Sequence, residues 1–281
     1  MNALELKNVT KRYDGFTLEN LSLAVPRGSI VGLVGENGAG KSTTIKLLLD
    51  LVRPDAGSIE VLGRSNRENF KDIRQDIGVV FDECFFPSYF TAHQINWLMR
   101  DLYDNWQEET FVSYLHRFEL PDRKKIKDFS RGMKMKLSIA AALSHEAKLL
   151  ILDEPTGGLD PIVRDEVVDV FYDFTRDESH SILISSHIVS DLEKLCDYIA
   201  FLHQGKLLFC RAKDELIESY GVFHGTEEEL SMLRPDAIHG VRRTAYSVDA
   251  LIERAKAPVS LFLDRPTVED IILFTVKEAK A

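Results

Sequence analysis

Cysteine is scarce in this 281-residue sequence, and the three that occur are not spaced to work together. Cys84, Cys196 and Cys210 are scattered, odd in number and lack the spacing of metal ligands. We therefore expect reduced thiols, which are typical of a cytosolic protein. Cys196 falls on one helical stripe with Ile188 and Leu192, which predicts core packing for it.

Long apolar segments are also missing. No apolar run reaches the ~18–20 residues that a membrane-spanning helix needs. The first residues, MNALELKNVTKRYDG, are polar and alternating, unlike a signal peptide. We therefore expect a chain that does not cross a membrane by itself.

An excess of basic residues is missing as well, because the formal net charge is −10 at pH 7. Nucleic-acid-binding proteins usually present a basic face, so this balance argues against nucleic acid as a partner, although a local basic patch is compatible with it. Apolar residues make up 44% and charged residues 28% of the chain, as in an ordinary globular protein. The length suits one large domain, or one domain with an appendage.

Apolar patterning predicts how the chain is organised. The first sixty residues have mainly the patterns of strands, whereas residues 85–128 carry two amphipathic helices with no strand between them. After this helical insertion, strands such as KLLILDE and SILISS alternate with helices. That alternation predicts a parallel sheet covered by helices.

The last part of the chain predicts a separate α/β appendage. The segment DYIAFLHQGKLLFCR is typical of a hairpin that turns at Gly205. Beyond it we expect a helix ending near Gly221, a helix near residues 226–233, and a final strand–helix pair in SLFLDRPTVEDIILFTVKE. These elements divide the chain into domains at residues 1–211 and 212–281.

One segment is built to hold phosphates. Residues 35–42, GENGAGKS, fit the pattern G-x-x-x-x-G-K-[ST], in which glycines let successive N–H groups point at phosphate oxygens. A helix expected from about Lys41 to Val52 adds the positive end of its dipole. Lys41 would reach the β- and γ-phosphates of a nucleotide, and the Ser42 hydroxyl would ligate Mg²⁺. The alternative is a plain glycine-rich turn. We call this segment the phosphate cradle; its members are Gly35, Glu36, Asn37, Gly38, Ala39, Gly40, Lys41, Ser42 and Thr43.

Two carboxylates end an apolar strand. The run LLILDE delivers Asp153 and Glu154 to the carboxyl edge of the predicted sheet, where ligands bind in open α/β folds. Asp153 would hold Mg²⁺, directly or through water, and Glu154 would be the general base for an attacking water. The alternative is that Asp-Glu-Pro merely ends a strand.

Four motifs in this order resemble the nucleotide-binding domain of an ABC ATPase: GENGAGKST, FSRGM, LLILDEPTGGLD and an isolated His187 after a strand. The resemblance covers about residues 1–210. It implies an α/β fold: a P-loop NTPase core with a parallel sheet, an N-terminal antiparallel β subdomain, a helical insertion and a small C-terminal appendage. It also implies ATP and Mg²⁺ as cofactors.

By this resemblance, residues 130–133 are the signature turn that contacts the ATP held by a second copy. Ser130 supplies a hydroxyl where a helix N-cap is expected, and Gly132 allows close backbone approach. Arg131 and Met133 depart from the commonest family pattern but match variants found in ABC-2-type exporters. Arg131 would add charge at the phosphate, or it is a solvated surface arginine. Two copies would then pair head to tail, as a homodimer or with a paralogue.

The resemblance assigns four further positions. His187 matches the switch histidine that contacts the γ-phosphate, and Asp160 matches the loop that crosses the dimer interface. Tyr13 matches the aromatic that stacks on adenine, or it is simply an aromatic at a strand end. Asp82 stands where the family usually has a glutamine that links Mg²⁺ to the transmembrane partner. Aspartate is shorter and charged, but it can still ligate the metal through water.

These residues predict an ATPase that powers a separate membrane permease, bound to it at the cytoplasmic face of the membrane. Export is favoured by the resemblance to ABC-2-type exporter ATPases. The segment RPTVEDIILFTVKE resembles a common closing segment of those ATPases and supports this placement; the alternative is that it is a small capping element. The helical insertion, with the loop around residues 82–86, is the expected docking surface; the alternative is packing between subdomains. A soluble ABC ATPase acting on ribosomes or other cytosolic machinery is the second hypothesis. A nucleotide sensor without turnover is the third.

Overall fold

The first sheet is antiparallel and comes from the start of the chain, as the alternating pattern predicts. The computed structural model describes residues 2–244 and 247–278. Leu4, Leu6 and Val9 are buried in one apolar cluster with Leu21 and Leu23. The strand order is β2-β1-β4-β5, with β1 at Asn2–Tyr13, β2 at Phe16–Pro26, β4 at Ala56–Val61 and β5 at Arg64–Ser65.

The central sheet is parallel except at one edge. Its apolar strands β3, β7 and β8 are buried along their whole length, which is why they read as continuous apolar runs. The predicted hairpin at Gly205 is confirmed and adds an antiparallel edge strand. The strand order is β10-β9-β3-β8-β7-β6, with β3 at Ile30–Val34, β6 at Ile77–Val80, β7 at Leu149–Asp153, β8 at Ser181–Ser186, β9 at Tyr198–His203 and β10 at Lys206–Ala212.

The predicted helical insertion is confirmed, because residues 85–128 hold two α-helices and no strand. The first of them begins with a capping box in which Thr91 and Gln94 each bind the other's backbone N–H. The helices that precede residue 212 are α1 at Lys41–Leu48, α2 at Phe70–Ile73, α3 at Ala92–Leu102, α4 at Glu108–Arg117, α5 at Arg131–Ala142, α6 at Pro161–Phe174 and α7 at Val189–Leu195.

The first helix is shorter than predicted. It ends at Leu48 rather than near Val52, because Asp50 takes a φ of 50° and the N–H groups of Leu51 and Val52 both turn back to the Lys46 carbonyl. No helix in the described part of the chain is long and apolar enough to cross a bilayer.

The appendage contains more strand than the sequence predicts. Its helices are α8 at Lys213–Ser219, α9 at Glu227–Ser231 and α10 at Val268–Glu278. Its antiparallel sheet has the order β11-β13-β12, with β11 at Tyr220–Gly225, β12 at Ile238–Arg243 and β13 at Val248–Glu253. The prediction of a strand within SLFLD was wrong. Only Asp264 pairs there, with Val222. Phe262 is exposed and lies between two prolines, Pro258 and Pro266.

The appendage packs directly on the first part of the chain. Val268 and Ile271 of α10 are buried in the same apolar cluster as Leu192 and Leu195 of α7. The first N–H of α10, at Val268, donates to the Glu193 carboxylate of α7 at 3.1 Å. The hydrophobic core is therefore continuous from the central sheet into the appendage.

Candidate active site

The phosphate cradle adopts a backbone conformation that glycine permits. Gly40, the N-cap of α1, has a φ of 115°. A Cβ there would lie 3.0 Å from the Phe16 ring, and a Cβ on Gly35 would lie 2.4 Å from the Leu202 carbonyl. The cradle is therefore pressed between the start of β2 and the end of β9, with no room for side chains at these two positions.

The β9–β10 turn supports the cradle from outside. The Gly205 N–H donates to the Ala39 carbonyl at 3.0 Å, and the Gly205 carbonyl accepts from the Glu19 N–H at 2.8 Å. One turn thus ties the cradle to the antiparallel sheet.

Lys41 lies at the centre of the cradle. Its side chain is only 6% exposed, and its Nζ donates to the Gly35 carbonyl at 2.7 Å. The same Nζ lies 3.3 Å from Glu154 Oε1. The predicted phosphate-binding lysine and the predicted general base are therefore in direct contact.

Glu154 also contacts His187. Glu154 Oε2 lies 2.6 Å from His187 Nδ1 and accepts the His187 backbone N–H at 3.2 Å. A carboxylate accepts hydrogen bonds, so Nδ1 is the ring nitrogen that carries the proton in this arrangement. The sequence-predicted base and histidine are thus joined, as the adjacent ends of the parallel strands β7 and β8 require.

The backbone at Glu154 is held in an unusual conformation. Its φ is 51°, a region that non-glycine residues rarely occupy and that clusters at functional sites. The Glu154 N–H donates to the Ser185 carbonyl at 3.1 Å, which fixes this turn on β8. Asp153 is buried, and its Oδ1 accepts from the Ser185 hydroxyl at 2.6 Å. Ser185 therefore holds both carboxylate residues in place.

These groups line a cavity of about 820 Å³, within the range of small-molecule sites, about 300–1,000 Å³. Most of the cradle faces it, and Asp82 and Arg131 close its sides. The lining residues are Gly15, Phe16, Glu36, Asn37, Gly38, Gly40, Lys41, Ser42, Thr43, Asp82, Arg131, Glu154, Gly157, Gly158 and His187.

Other predicted site residues lie outside this lining. Gly35 and Ala39 back the cradle, and Asp153 lies behind Glu154. Tyr13 ends β1 and is 43% exposed, with Lys11 Nζ 5.6 Å from its ring. Asp160 is the N-cap of α6, where its carboxylate accepts from the N–H groups of Ile162 and Val163.

The signature turn begins α5, and its first two residues, Ser130 and Arg131, are exposed. The hydroxyl of Ser130 accepts the Met133 N–H at 3.2 Å, so Ser130 is the predicted N-cap. Behind it, half-buried Met133 and buried Leu137 and Ala141 form an apolar stripe that anchors the helix. A Cβ on Gly132 would meet Val163 of α6 at 3.5 Å, an ordinary contact. Ser130, Gly132 and Met133 are not among the residues that line the cavity of their own chain.

Arg131 differs from its neighbours in the signature turn. A Cβ on Gly158 would lie 2.9 Å from Arg131 Nη1, so the guanidinium rests on the loop that follows Glu154. Arg131 therefore lines the cavity of its own chain. Arg131 is also the first residue of α5, where the positive end of the helix dipole makes a cation unfavourable. An anion in the cavity would be attracted to Arg131 and would offset this cost.

The sequence did not predict Gly15, Phe16, Gly157 or Gly158 as part of the site. Phe16 faces Tyr13 across the β1–β2 turn, and an aromatic pair flanking a turn was a usable signal. The two glycines follow the acidic strand end directly, but only the folded chain shows Arg131 lying over them.

The donor set fits a metal that arrives with phosphates. Ser42 and Asp82 line one cavity, and the described residues hold no cluster of three or more His, Cys, Asp or Glu side chains suited to a metal. Mg²⁺ commonly keeps several waters and binds one or two protein groups together with substrate phosphates.

An apolar groove of about 290 Å³ lies beside the site, between the loop after β6 and helices α3 and α5. Phe81, Phe85 and Phe86 line it from the loop, and Leu98 and Met99 line it from α3. Phe85 is 72% exposed at the edge of this groove. The predicted docking loop therefore borders a groove with an apolar lining.

Comparison with protein families matches residues 18–157 to the ABC transporter family. The bacitracin transport ATP-binding protein BcrA of Enterococcus faecalis is 36% identical over 208 residues, which cover 73% of this chain and 68% of that protein. The lantibiotic transport ATP-binding protein SrtF of Streptococcus pyogenes is 38% identical over 214 residues, covering 75% of this chain and 91% of that protein.

A solved structure has a similar fold. The ATP binding subunit of an ABC transporter superposes with a TM-score of 0.71 at 29% identity, over 77% of this chain and 92% of that one. The α/β architecture described above is therefore the architecture of known ATP-binding cassettes.

Proposed function

This chain belongs to the ABC transporter family and is an ATP-binding and ATP-hydrolysing transport subunit, and from that premise we propose that two copies clamp ATP between them to drive a separate permease. The observation that carries the proposal is the contact of Lys41 with Glu154 and of Glu154 with His187, in a cavity that Ser130, Gly132 and Met133 of the signature turn do not line. One chain thus supplies a phosphate-binding site, and its signature turn is left to contact the ATP of a second copy.

The cradle binds the triphosphate in this proposal. Its backbone N–H groups and the positive end of α1 surround the phosphates, and Lys41 reaches the β- and γ-phosphates. Mg²⁺ would neutralise phosphate charge, held by Ser42 and by Asp82 or Asp153 directly or through water. Tyr13 would stack on the adenine.

Glu154 performs the chemistry as general base. Its carboxylate takes a proton from the attacking water, whose oxygen bonds to the γ-phosphorus as the bond to the ADP oxygen breaks. His187 orients Glu154 through the 2.6 Å contact and lies at the same cavity, where the γ-phosphate would sit. The positive φ at Glu154 aims the carboxylate off the end of β7.

The signature turn serves the ATP of the other copy. Ser130 supplies a hydroxyl and Gly132 a bare backbone, while Asp160 borders the partner across the interface. Arg131 would contribute its charge from its own chain, because it already lines its own cavity. ATP closes the pair, and hydrolysis removes the γ-phosphate contacts and reopens it.

The apolar groove beside Phe85 would accept a short helix of the permease, which holds this subunit at the cytoplasmic face of the membrane. Support comes from the exposed phenylalanine and from Asp82, which borders both the ATP cavity and the docking loop. We assign export as the direction, since the relatives named above are bacitracin and lantibiotic transport proteins. Residues 1–211 would form the ATPase domain, and residues 212–281 an appendage.

Replacing Glu154 tests this proposal. The Glu154→Gln variant should lose about 10²- to 10⁴-fold in turnover, the usual value of a general base, yet still bind ATP. It should accumulate as a dimer in ATP and Mg²⁺, measured by size-exclusion chromatography with light scattering in the presence of the permease. Glu146→Gln is the matched control, because Glu146 shares the left-handed backbone, with a φ of 55°, but precedes β7. A Glu154→Gln protein that stays monomeric in saturating ATP contradicts the clamp.

A further inference from the structure

Two charged residues lie one helical turn behind two site residues. Arg164 follows Asp160 by four positions on α6, and its N–H donates to the Asp160 carbonyl at 3.0 Å. Asp191 follows His187 by four positions on α7, and its N–H donates to the Ile188 carbonyl at 3.3 Å. The two side chains meet between the helices, with Arg164 Nη1 3.7 Å from Asp191 Oδ1.

This contact is buried on the Asp191 side only, since the Arg164 side chain is 31% exposed, and it is incompletely satisfied. Asp191 is only 7% exposed, and its Oδ2 makes no hydrogen bond within the described residues. Arg164 Nε is likewise buried without an acceptor in that part of the chain. Buried charges of this kind are costly unless they are paired and hydrogen-bonded. The separation of 3.7 Å exceeds the roughly 2.7–2.9 Å of a direct charged hydrogen bond, so a closer approach would satisfy groups that are unsatisfied now.

The far ends of the same helices are already fixed. The Tyr172 hydroxyl of α6 donates to the Lys194 carbonyl of α7 at 2.7 Å, a direct hydrogen bond. The two helices are therefore held firmly at the end remote from the site. At the end nearest Asp160 and His187, Arg164 and Asp191 face each other across 3.7 Å, a looser contact than the one at Tyr172.

We propose that Arg164 and Asp191 are a positioning pair that tightens when two copies close on ATP, so that movement of the Asp160 loop sets the position of His187. This inference rests on the proposed function, because it needs a second copy to press on that loop. Ile162 in the first turn of α6 is 75% exposed, which gives a partner a surface to press. Neither Arg164 nor Asp191 lines the ATP cavity, so the pair acts through His187 and not on the nucleotide.

The test is a double-mutant cycle on the full chain with Asp191→Asn, Arg164→Gln and both together. The affinity for mant-ATP, a fluorescent ATP analogue, and the maximal ATPase rate are measured for each. Each single variant should lower the rate about tenfold and leave the affinity within about twofold, because the cradle is untouched. The double variant should lose no more than the worse single one. Arg164→Lys, which keeps the cation, should recover most of the rate.

Tyr172→Phe is the matched control, since it removes the link between the same helices at the remote end. It should lower the melting temperature measured by scanning fluorimetry and leave the rate unchanged. The inference is overturned if the single losses multiply in the double variant, if rate and affinity fall together, if the single variants behave as wild type, or if Tyr172→Phe slows turnover equally. A wild-type chain that fails to bind mant-ATP or to hydrolyse ATP would instead overturn the proposed function.

Discussion

The phosphate cradle and the signature turn each begin a helix, but they differ in what satisfies them within one chain. In the cradle, Lys41 is buried and contacts both the Gly35 carbonyl and the Glu154 carboxylate. In the signature turn, Ser130 is exposed, and its hydroxyl accepts one local N–H, that of Met133. The cradle is therefore organised before any ligand arrives, whereas the signature turn is organised only as a helix cap.

This difference predicts that the cradle determines the affinity for ATP, whereas the signature turn determines the rate of hydrolysis. A preorganised site binds without paying to order its groups, so the cradle alone should hold ATP. The signature turn gains partners only when a second copy brings its phosphates, so it should contribute to closure and to rate. Substitutions in the two regions should therefore affect different measurements, and the predictions below follow in order of decreasing effect.

Lys41→Met should have the largest effect. It removes the ammonium that would bind two phosphates, and a hydrogen bond to a charged group contributes about 1.5–3 kcal/mol, so the affinity for mant-ATP should fall at least about 100-fold. Lys46→Met is the control, because Lys46 lies exposed on the same helix. Unchanged affinity for Lys41→Met would mean that the cradle is not the site of binding.

Ser130→Asn should have an intermediate effect, on a different measurement. Asparagine caps a helix as well as serine does, so the stability should change little, but the hydroxyl is lost and bulk is added at the proposed interface. The maximal ATPase rate should fall about tenfold while the affinity for mant-ATP stays within about twofold. Thr226→Asn, at the N-cap of α9 in the appendage, controls for the change of cap. If Ser130→Asn lowers the affinity for mant-ATP but not the ATPase rate, the two regions do not differ in the way proposed.

The cradle and the acidic strand end were predictable because their signals are local. A glycine-rich turn, a lysine and two carboxylates occupy short runs beside buried apolar strands, and parallel strand ends must meet at one edge. The position of Arg131 over Gly158 was not predictable, since these residues lie far apart in sequence and their contact depends on how α5 packs. The contact of Arg164 with buried Asp191 was missed for the same reason.

The strands of the appendage were missed because charged residues interrupt their apolar pattern. Asp249 lies in the buried strand β13, where His224 of β11 and Arg242 of β12 bind its carboxylate. Burial raises the pKa of Asp249, but the hydrogen bonds from His224 and Arg242 outweigh it and hold the pKa below the ordinary value. A carboxylate satisfied by two neighbouring strands looks, in the sequence alone, like a residue of a loop.

Tyr13→Leu should have the smallest effect, and it tests where the cradle region ends. Tyr13 matches the adenine-stacking position, yet it is 43% exposed and lies outside the cavity lining, whereas Phe16 lies within it against Gly40. Stacking of a base on an aromatic ring contributes about 1–3 kcal/mol, and an exposed ring belongs at the low end. The affinity for mant-ATP should therefore fall about fivefold for Tyr13→Leu and recover in Tyr13→Phe, which keeps the ring. If Phe16→Leu weakens binding and Tyr13→Leu does not, the adenine stacks on Phe16, and the resemblance placed the aromatic contact on the wrong side of the β1–β2 turn.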